Sequence, residues 1–205
     1  MEYLETYEWN PDARMIQQAA QMLKQGEIGI IPTDTIYAFV CLIDNKKGIE
    51  RICKLVGKKP EKANLSVIFN DLKHISDYTR TFDTPTFKIL KRNLPGPFTF
   101  VMNAGNKIPK LFLNNKKTLG IRIPNHIIPQ QLCEMTQSPL IVSSVHSEDE
   151  VLDYLTDPYD IKLYFENDVD FLINTGVVGN TPSTVVDLTQ SEPQILRQAK
   201  GDLLL

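Results

Sequence analysis

The sequence predicts a single-domain α/β (α+β) protein with a mixed β-sheet flanked by helices. Apolar, β-branched runs typical of buried strands alternate with segments of helical periodicity. Late in the chain several strands follow one another directly, which is typical of a mixed sheet rather than of a pure βαβ repeat. No repeat, low-complexity tract or Gly/Ser linker divides the 205 residues, so we expect one domain over residues 1–205.

The first part of the chain opens with a helix and continues into strands. Asn10 is a good N-cap, Pro11 suits the first helical position, and Gly26 provides the stop. Between them, apolar residues recur every three or four positions, which predicts one buried face. The next predicted elements are strands at 28–31, 37–43 and 65–69 and a helix at 46–56.

The second part begins with a similar helix start. Thr84 and Pro85 repeat the N-cap and proline pattern, and a Pro-Gly-Pro run at 95–97 ends the helix. Further along, Arg122 lies within an apolar strand and points to the face opposite its two neighbours. The remaining predicted elements are strands at 98–102, 119–123, 140–143, 170–173, 184–188 and 194–196 and helices at 128–135 and 160–165.

Composition excludes several classes of protein. Cys41, Cys53 and Cys133 lie far apart and form no CxxC pair, which excludes a disulfide scaffold and a zinc ribbon and fits a reducing compartment. The acidic start has no apolar leader, and no apolar run approaches the roughly 20 residues that cross a bilayer. We therefore expect a cytoplasmic protein without a membrane partner.

The familiar motifs of cofactor and metal chemistry do not occur in the sequence. GxxxxGK[ST], GxGxxG, GxSxG and HExxH are all absent. His74, His126 and His146 are widely scattered along the chain. We therefore predict no resident metal site and no prosthetic group.

Polar side chains crowd the point where the strand at 28–31 stops. Thr33, Asp34, Thr35 and Tyr37 supply two hydroxyls, a carboxylate and a phenol. Ligands of open α/β sheets bind at the carboxyl ends of strands, so these groups are candidates for a binding site. A turn in which Thr33 and Asp34 bond their own backbone would explain them equally.

Several cations and hydroxyls are also open to two interpretations. Lys58 and Lys59 follow a helix, where they form an anion clamp or interact with the helix dipole as solvated charges. Arg122 needs a partner, which is either an internal carboxylate or a bound one, because an unpaired interior charge costs several kcal/mol. Ser144 and Ser183 lie at strand ends and belong either to a ligand site or to ordinary turns.

Taken in chain order, six segments resemble the YrdC-like family, whose members include threonylcarbamoyl-AMP synthases. The resemblance extends over about residues 11–202 and is nearest to the YciO-like branch. The segments are PTDTIYA at 32–38, LPGPFTFVM at 94–102, GIRIP at 120–124, PLIVSS at 139–144, PSTVVDL at 182–188 and ILR at 195–197.

This resemblance implies a twisted open sheet around a large, positively charged cavity. It also implies a reaction in which L-threonine, bicarbonate and ATP, accompanied by Mg²⁺, yield threonylcarbamoyl-AMP and pyrophosphate for a modified adenosine in tRNA. Such catalysis needs no covalent intermediate and no protein acid or base, because it depends on positioning and on the neutralisation of phosphate charge.

The resemblance also assigns roles to individual residues. Thr35 would contact L-threonine, and Arg122 would pair with its carboxylate. The residues implied at the substrate end are Thr33, Thr35, Tyr37, Arg122 and Ser183. The residues implied around ATP or AMP are Lys58, Lys59, Ser144, His146 and Arg197.

The sequence departs from the synthase pattern where ATP is handled. Gly57 and Lys59 occupy the positions of a Lys-x-Arg pair, and His146 replaces the asparagine of a Ser-x-Asn pair. Lysine forfeits the bidentate phosphate recognition of arginine, and the acidic run at 148–150 would repel a triphosphate. Lys58 would replace the missing lysine through a shift of register.

Three hypotheses remain open for the function. The first is a synthase or a related nucleotide-using enzyme, and the second is a translation-related factor that binds double-stranded RNA or tRNA. The third is a relic fold that serves as a protein-interaction piece. A net charge of −3 argues against a strongly basic RNA binder, yet the field depends on where the charges lie. The candidate phosphate contacts are Lys54, Lys58, Lys59, Lys62, Lys107, Lys110, Lys116 and Lys117.

Overall fold

A computed structural model describes residues 1–63, 65–109, 117–146 and 154–205, and within them a ten-stranded mixed sheet flanked by helices confirms the predicted fold class. The strands are β1 (Glu2–Glu5), β2 (Gly29–Ile31), β3 (Ala38–Leu42), β4 (Ser66–Ile68), β5 (Phe98–Asn103), β6 (Thr118–Arg122), β7 (Leu140–Ser144), β8 (Phe171–Asn174), β9 (Thr184–Asp187) and β10 (Gln194–Arg197). The helices are α1 (Ala13–Lys24), α2 (Lys46–Leu55), α3 (Ile75–Tyr78), α4 (Thr84–Asn93), α5 (Ile127–Thr136) and α6 (Pro158–Phe165), with 3-10 turns at Pro60–Lys62 and Leu72–His74.

The sheet combines parallel and antiparallel neighbours in the order β1-β8-β2-β3-β7-β4-β6-β5-β9-β10. The pairs β1/β8, β2/β8, β4/β6 and β5/β9 are parallel. The pairs β2/β3, β3/β7, β4/β7, β5/β6 and β9/β10 are antiparallel. The mixed sheet therefore places strands that are distant in the sequence side by side.

The two faces of the sheet are covered to different extents. On one face α2, α4 and α6 contribute buried side chains such as Ile49, Leu90 and Ile161 to the larger hydrophobic cluster. On the other face α1 and α5 contribute Ile16 and Leu132 to a second cluster. That second cluster includes buried residues of β1, β8, β2, β3, β7 and β4 but none of β6, β5, β9 or β10. One part of this face is therefore free to line a cavity.

Two predicted helix starts were wrong by one or two residues. Asp12, not Asn10, caps α1 by accepting a hydrogen bond from the backbone N–H of Arg14. Asp83, not Thr84, caps α4 through the N–H of Thr86. In both places two residues of N-cap type, one of them an aspartate, lie within two positions of a proline, so the sequence preference alone does not choose between them.

The structure also adds elements that the sequence pattern did not predict. Strand β1 lies at an edge of the sheet and buries only Leu4, so it lacks the apolar alternation of the other strands. Helix α3 and the two 3-10 turns are too short to show helical periodicity. Among the described residues, no helix has the length and apolarity needed to cross a membrane.

Candidate functional site

A cavity of about 1050 Å³ lies on the uncovered part of the sheet. Its floor consists of alternate residues of neighbouring strands, because successive side chains of a strand point to opposite faces. In β5, Phe98, Phe100 and Met102 enter the hydrophobic cluster, while Thr99 and Asn103 line the cavity. The same alternation places Arg122 of β6 in the cavity wall.

The charged residues that line the cavity are mostly cationic. Lys58, Lys62, Arg122 and Arg197 line it, and Asp187 is the one carboxylate among the described lining residues. A chain with a net charge of −3 therefore presents a locally positive cavity, as expected from the dependence of the field on local distribution.

Arg122 is buried, and an internal carboxylate is its partner. Its Nη2 donates to Oδ1 of Asp34 at 2.8 Å and to the hydroxyl oxygen of Thr35 at 3.1 Å. The two charged side chains are only 6% and 9% exposed. Nε of Arg122 is buried without a hydrogen-bond partner among the described atoms. Burial lowers the pKa of Arg122, Asp34 opposes this shift, and the like charge of Arg197 adds to it.

A chain of hydrogen bonds fixes the hydroxyl groups of Thr33 and Thr35, the second of which accepts from Arg122. Thr33 donates its hydroxyl proton to the carbonyl of Ile36 at 2.7 Å. The Thr33 and Thr35 hydroxyl oxygens are 2.9 Å apart, so Thr35 must donate to Thr33. Since Thr35 also accepts from Arg122, its hydroxyl can meet a ligand only as an acceptor. The turn at Thr33 and Thr35 and the polar cluster beside Arg122, which the sequence offered as alternatives, are therefore formed by the same side chains.

Ser183 supplies a further hydroxyl at the cavity. Its Oγ is 2.7 Å from Oγ1 of Thr99, and both residues line the cavity. Arg197 donates from Nε and Nη2 to the carbonyl oxygen of Ser183, at 3.2 and 2.8 Å. This arrangement holds the exposed Arg197 guanidinium at the wall of the cavity.

Six of the ten predicted site residues line the cavity, and four do not. Thr33 and Thr35 are buried and do not line the cavity. Lys58, Ser144 and His146 line it, whereas Lys59 does not. Tyr37 is also absent from the lining, because it is fully buried in the hydrophobic cluster on the opposite face. Its hydroxyl donates to the carbonyl of Gly176 at 2.8 Å.

Several polar residues of the cavity floor are not among those predicted from the sequence. Ser66, Thr99, Asn103 and Thr118 line the cavity but were not predicted as site residues. Their signal was the recurrence of polar residues at every second position of otherwise apolar strands. Gly120 leaves room in this floor for the Ser66 side chain, because an added Cβ would lie 2.8 Å from Oγ of Ser66.

The lysines predicted to contact RNA phosphates do not converge. Of the described ones, Lys58 and Lys62 line the cavity, whereas Lys54, Lys59, Lys107 and Lys117 do not. Lys107 instead pairs with Asp77 at 3.1 Å. Lys110, Lys116 and the acidic run at 148–150 lie outside the described residues.

His126 caps helix α5 from a buried position near the site. Its Nδ1 accepts from the backbone N–H of Ile128 at 3.3 Å, and its Nε2 lies 3.9 Å from a carboxylate oxygen of Glu8. Burial lowers the pKa of His126 to about 4 and outweighs the opposing effect of Asp34. The neutral ring is therefore the form that the fold stabilises.

Comparison with known proteins places this geometry in a family. The family model Sua5_yciO_yrdC, described as "Telomere recombination", matches residues 21–199. The uncharacterized protein YciO of Escherichia coli (strain K12) is 34% identical over 195 residues, which cover 95% of this chain and 93% of YciO. A threonylcarbamoyl-AMP synthase of Pseudoalteromonas translucida (strain TAC 125) is 27% identical over 182 residues, which cover 86% of this chain and 94% of that synthase.

Two solved structures share the fold. The crystal structure of E. coli YciO matches with a TM-score of 0.91 and 33% identity, over 98% of each chain. The structure of P. abyssi Sua5 complexed with L-threonine matches with a TM-score of 0.88 and 22% identity. The match covers 97% of this chain and 58% of Sua5, and at this identity it shows the fold alone.

Acidification should destabilise the protein through His126. The pKa of a histidine in the unfolded chain is about 6.5, whereas that of folded His126 is about 4. The unfolded chain therefore takes up the proton first, and stability present above pH 6.5 is lost as the pH falls towards 4. His126→Asn keeps a capping oxygen and removes the titration, so its unfolding free energy should fall less steeply, by up to about 1.4 kcal/mol per pH unit.

Urea unfolding at several pH values between 4 and 7 measures this difference in slope. His74→Asn is the matched control, because His74 is exposed. Identical slopes for the wild-type protein and His126→Asn would contradict the assignment.

Proposed function

The chain belongs to the Sua5/YciO/YrdC family, and we propose that its cavity binds ATP together with L-threonine and bicarbonate and forms threonylcarbamoyl-AMP. The observation that carries the proposal is the continuity of the cavity. The same space of about 1050 Å³ is lined by Arg122 and Ser183 and also by Lys58, Ser144 and Arg197. Groups that would bind an amino acid and groups that would bind phosphate therefore share one enclosure.

The proposed chemistry joins two small molecules before it uses the nucleotide. The amine of L-threonine combines with bicarbonate to give a carbamate and water. An oxygen of the carbamate attacks the α-phosphorus of ATP, and the bond to the β-phosphate breaks to release pyrophosphate. The protein holds the carbamate and the α-phosphate in line, and no side chain has to transfer a proton in the phosphoryl step.

The residues of the cavity suit the charges of this reaction. Arg122 would donate from Nε or Nη1, which make no hydrogen bond to the described residues, to an oxygen of the threonine carboxylate. Lys58, Lys62 and Arg197 would neutralise phosphate charge as it shifts to the leaving pyrophosphate. Mg²⁺ would arrive with ATP as part of the substrate, since the described residues form no group of His, Cys, Asp and Glu able to hold a metal.

The position of Lys58 in the cavity wall supports the proposal that it replaces the lysine of the Lys-x-Arg pair of the synthases. Gly57 and Lys59 occupy the two family positions, and neither one lines the cavity. Lys58, between them, does. An ammonium group binds phosphate as a point charge, without the two parallel hydrogen bonds of a guanidinium, so we expect a weaker hold on ATP than an arginine would provide.

The direct test is synthesis of the adenylate. Purified protein incubated with [¹⁴C]bicarbonate, L-threonine and MgATP should form labelled threonylcarbamoyl-AMP and an equal amount of pyrophosphate. Omission of L-threonine should abolish both products, because the carbamate cannot form. If neither product exceeds the no-enzyme background at high protein concentration, the proposed synthesis is wrong.

Lys58 and Lys59 provide a matched pair of variants for the nucleotide end. Lys58→Ala removes a cation from the cavity wall and should weaken ATP binding by about tenfold, the loss of roughly one charge-assisted contact. Lys59→Ala removes the same charge outside the cavity and should change the Kd of ATP less than twofold. Isothermal titration calorimetry distinguishes the two, and equal losses would place ATP elsewhere.

A second candidate is binding of tRNA or double-stranded RNA at the same cavity. The observation in its favour is that Lys58, Lys62 and Arg197 are exposed where they line the wall. Filter binding of tRNA should then weaken steeply with salt and should be reduced by Lys58→Ala but not by Lys59→Ala. Binding that is absent, or insensitive to salt, would eliminate this candidate.

A further inference from the structure

The part of the Arg122 guanidinium that would bind a ligand carboxylate already donates hydrogen bonds within the fold. Both bidentate modes of arginine include Nη2, either with Nε or with Nη1. Nη2 has two N–H groups, and Asp34 and Thr35 accept from it at 2.8 and 3.1 Å. Neither bidentate mode is therefore open to a ligand while Asp34 stays in place. Nε is buried without a partner, and the hydrogen bonds of Arg122 to the described residues involve neither Nε nor Nη1.

Asp34 is firmly held in this position. Its Oδ1 accepts from Arg122, and its Oδ2 accepts from the backbone N–H of Asn125 at 3.0 Å. Its backbone carbonyl accepts from Nζ of Lys200 at 2.6 Å. A carboxylate with both oxygens bonded and its backbone tied to the C-terminal segment does not leave Arg122 without breaking several contacts.

We propose that Asp34 is a specificity-determining residue that acts through Arg122, because its carboxylate occupies the position on the guanidinium that a ligand carboxylate would otherwise take. The inference rests on the proposed function in that it concerns the amino-acid end of the same cavity. Asp34 keeps the affinity of this end for a carboxylate low and restricts a ligand carboxylate to single contacts with Nε or Nη1. It thereby disfavours binding of an anion that relies on its charge alone.

Two physical consequences follow from removal of the Asp34 charge. A neutral acceptor at position 34 holds Nη2 less strongly than a carboxylate does, so a charged ligand carboxylate competes better for that N–H and for a bidentate contact. The buried guanidinium also loses its compensating charge, and an incoming anion then gains the attraction that Asp34 satisfied. Both effects strengthen the binding of a ligand that carries a carboxylate and give no gain to a ligand that lacks one.

The experiment compares Asp34→Asn with the wild-type protein in calorimetric titrations without ATP or bicarbonate. L-threonine should bind the variant at least about tenfold more tightly, since one adjacent like charge has been removed. L-threoninol, which lacks the carboxylate, should show no such gain. Asp187→Asn is the matched control, because Asp187 lines the same cavity but bonds the backbone N–H of Thr189 rather than Arg122. Its affinity for L-threonine should change less than twofold.

Weaker or unchanged binding of L-threonine by Asp34→Asn would overturn the inference, as would an equal gain for L-threoninol. Failure of both proteins to bind L-threonine would also overturn it. If Asp34→Asn is unfolded by circular dichroism, L-threonine should restore the fold by supplying the missing charge, and a lack of rescue counts against the inference. Because no ATP is present, tighter binding by an enzymatically inactive protein would support this inference while it contradicts the proposed synthesis.

Discussion

The buried ion pair between Arg122 and Asp34 is the interaction on which the cavity depends. Desolvation of both charges is costly, and loss of one partner from such a pair costs about 3–5 kcal/mol because the other charge stays buried. The pair therefore links the loop after β2 to the end of β6, where residues 88 positions apart meet. It fixes one edge of the guanidinium and leaves Nε unpartnered among the described atoms. A single contact thus contributes to stability and determines how an anion can be bound.

The rest of the cavity follows from the alternation of side chains along the strands. On β5, β6 and β9, one face is apolar and enters the larger hydrophobic cluster, while the other face is rich in hydroxyls, amides and charges. Helices α1 and α5 cover only the other half of this second face. Gly120 keeps the floor open at its centre, since an added Cβ would lie within 3 Å of Ser66 and Thr99. The space exists because these polar faces have no helix above them.

The sequence predicted most of the sheet, because buried strands retain apolar runs whatever their final neighbours are. It did not predict β1, an edge strand that buries only Leu4. A buried arginine within a strand correctly indicated a partner, but the choice of Asp34 depends on long-range packing that no local pattern encodes. Tyr37 shows the opposite case, since Ala38 lines the cavity and the adjacent residue of an extended chain must face away. Strand alternation alone could have excluded Tyr37 from the site.

We propose that one cavity holds both the amino acid and the nucleotide. A crystal structure of the protein grown with L-threonine and ATP tests this most directly. We expect electron density for the carboxylate beside Nε or Nη1 of Arg122 and for phosphates beside Lys58, within the same continuous space. Density for either ligand outside this cavity, or a carboxylate bound far from Arg122, would contradict it.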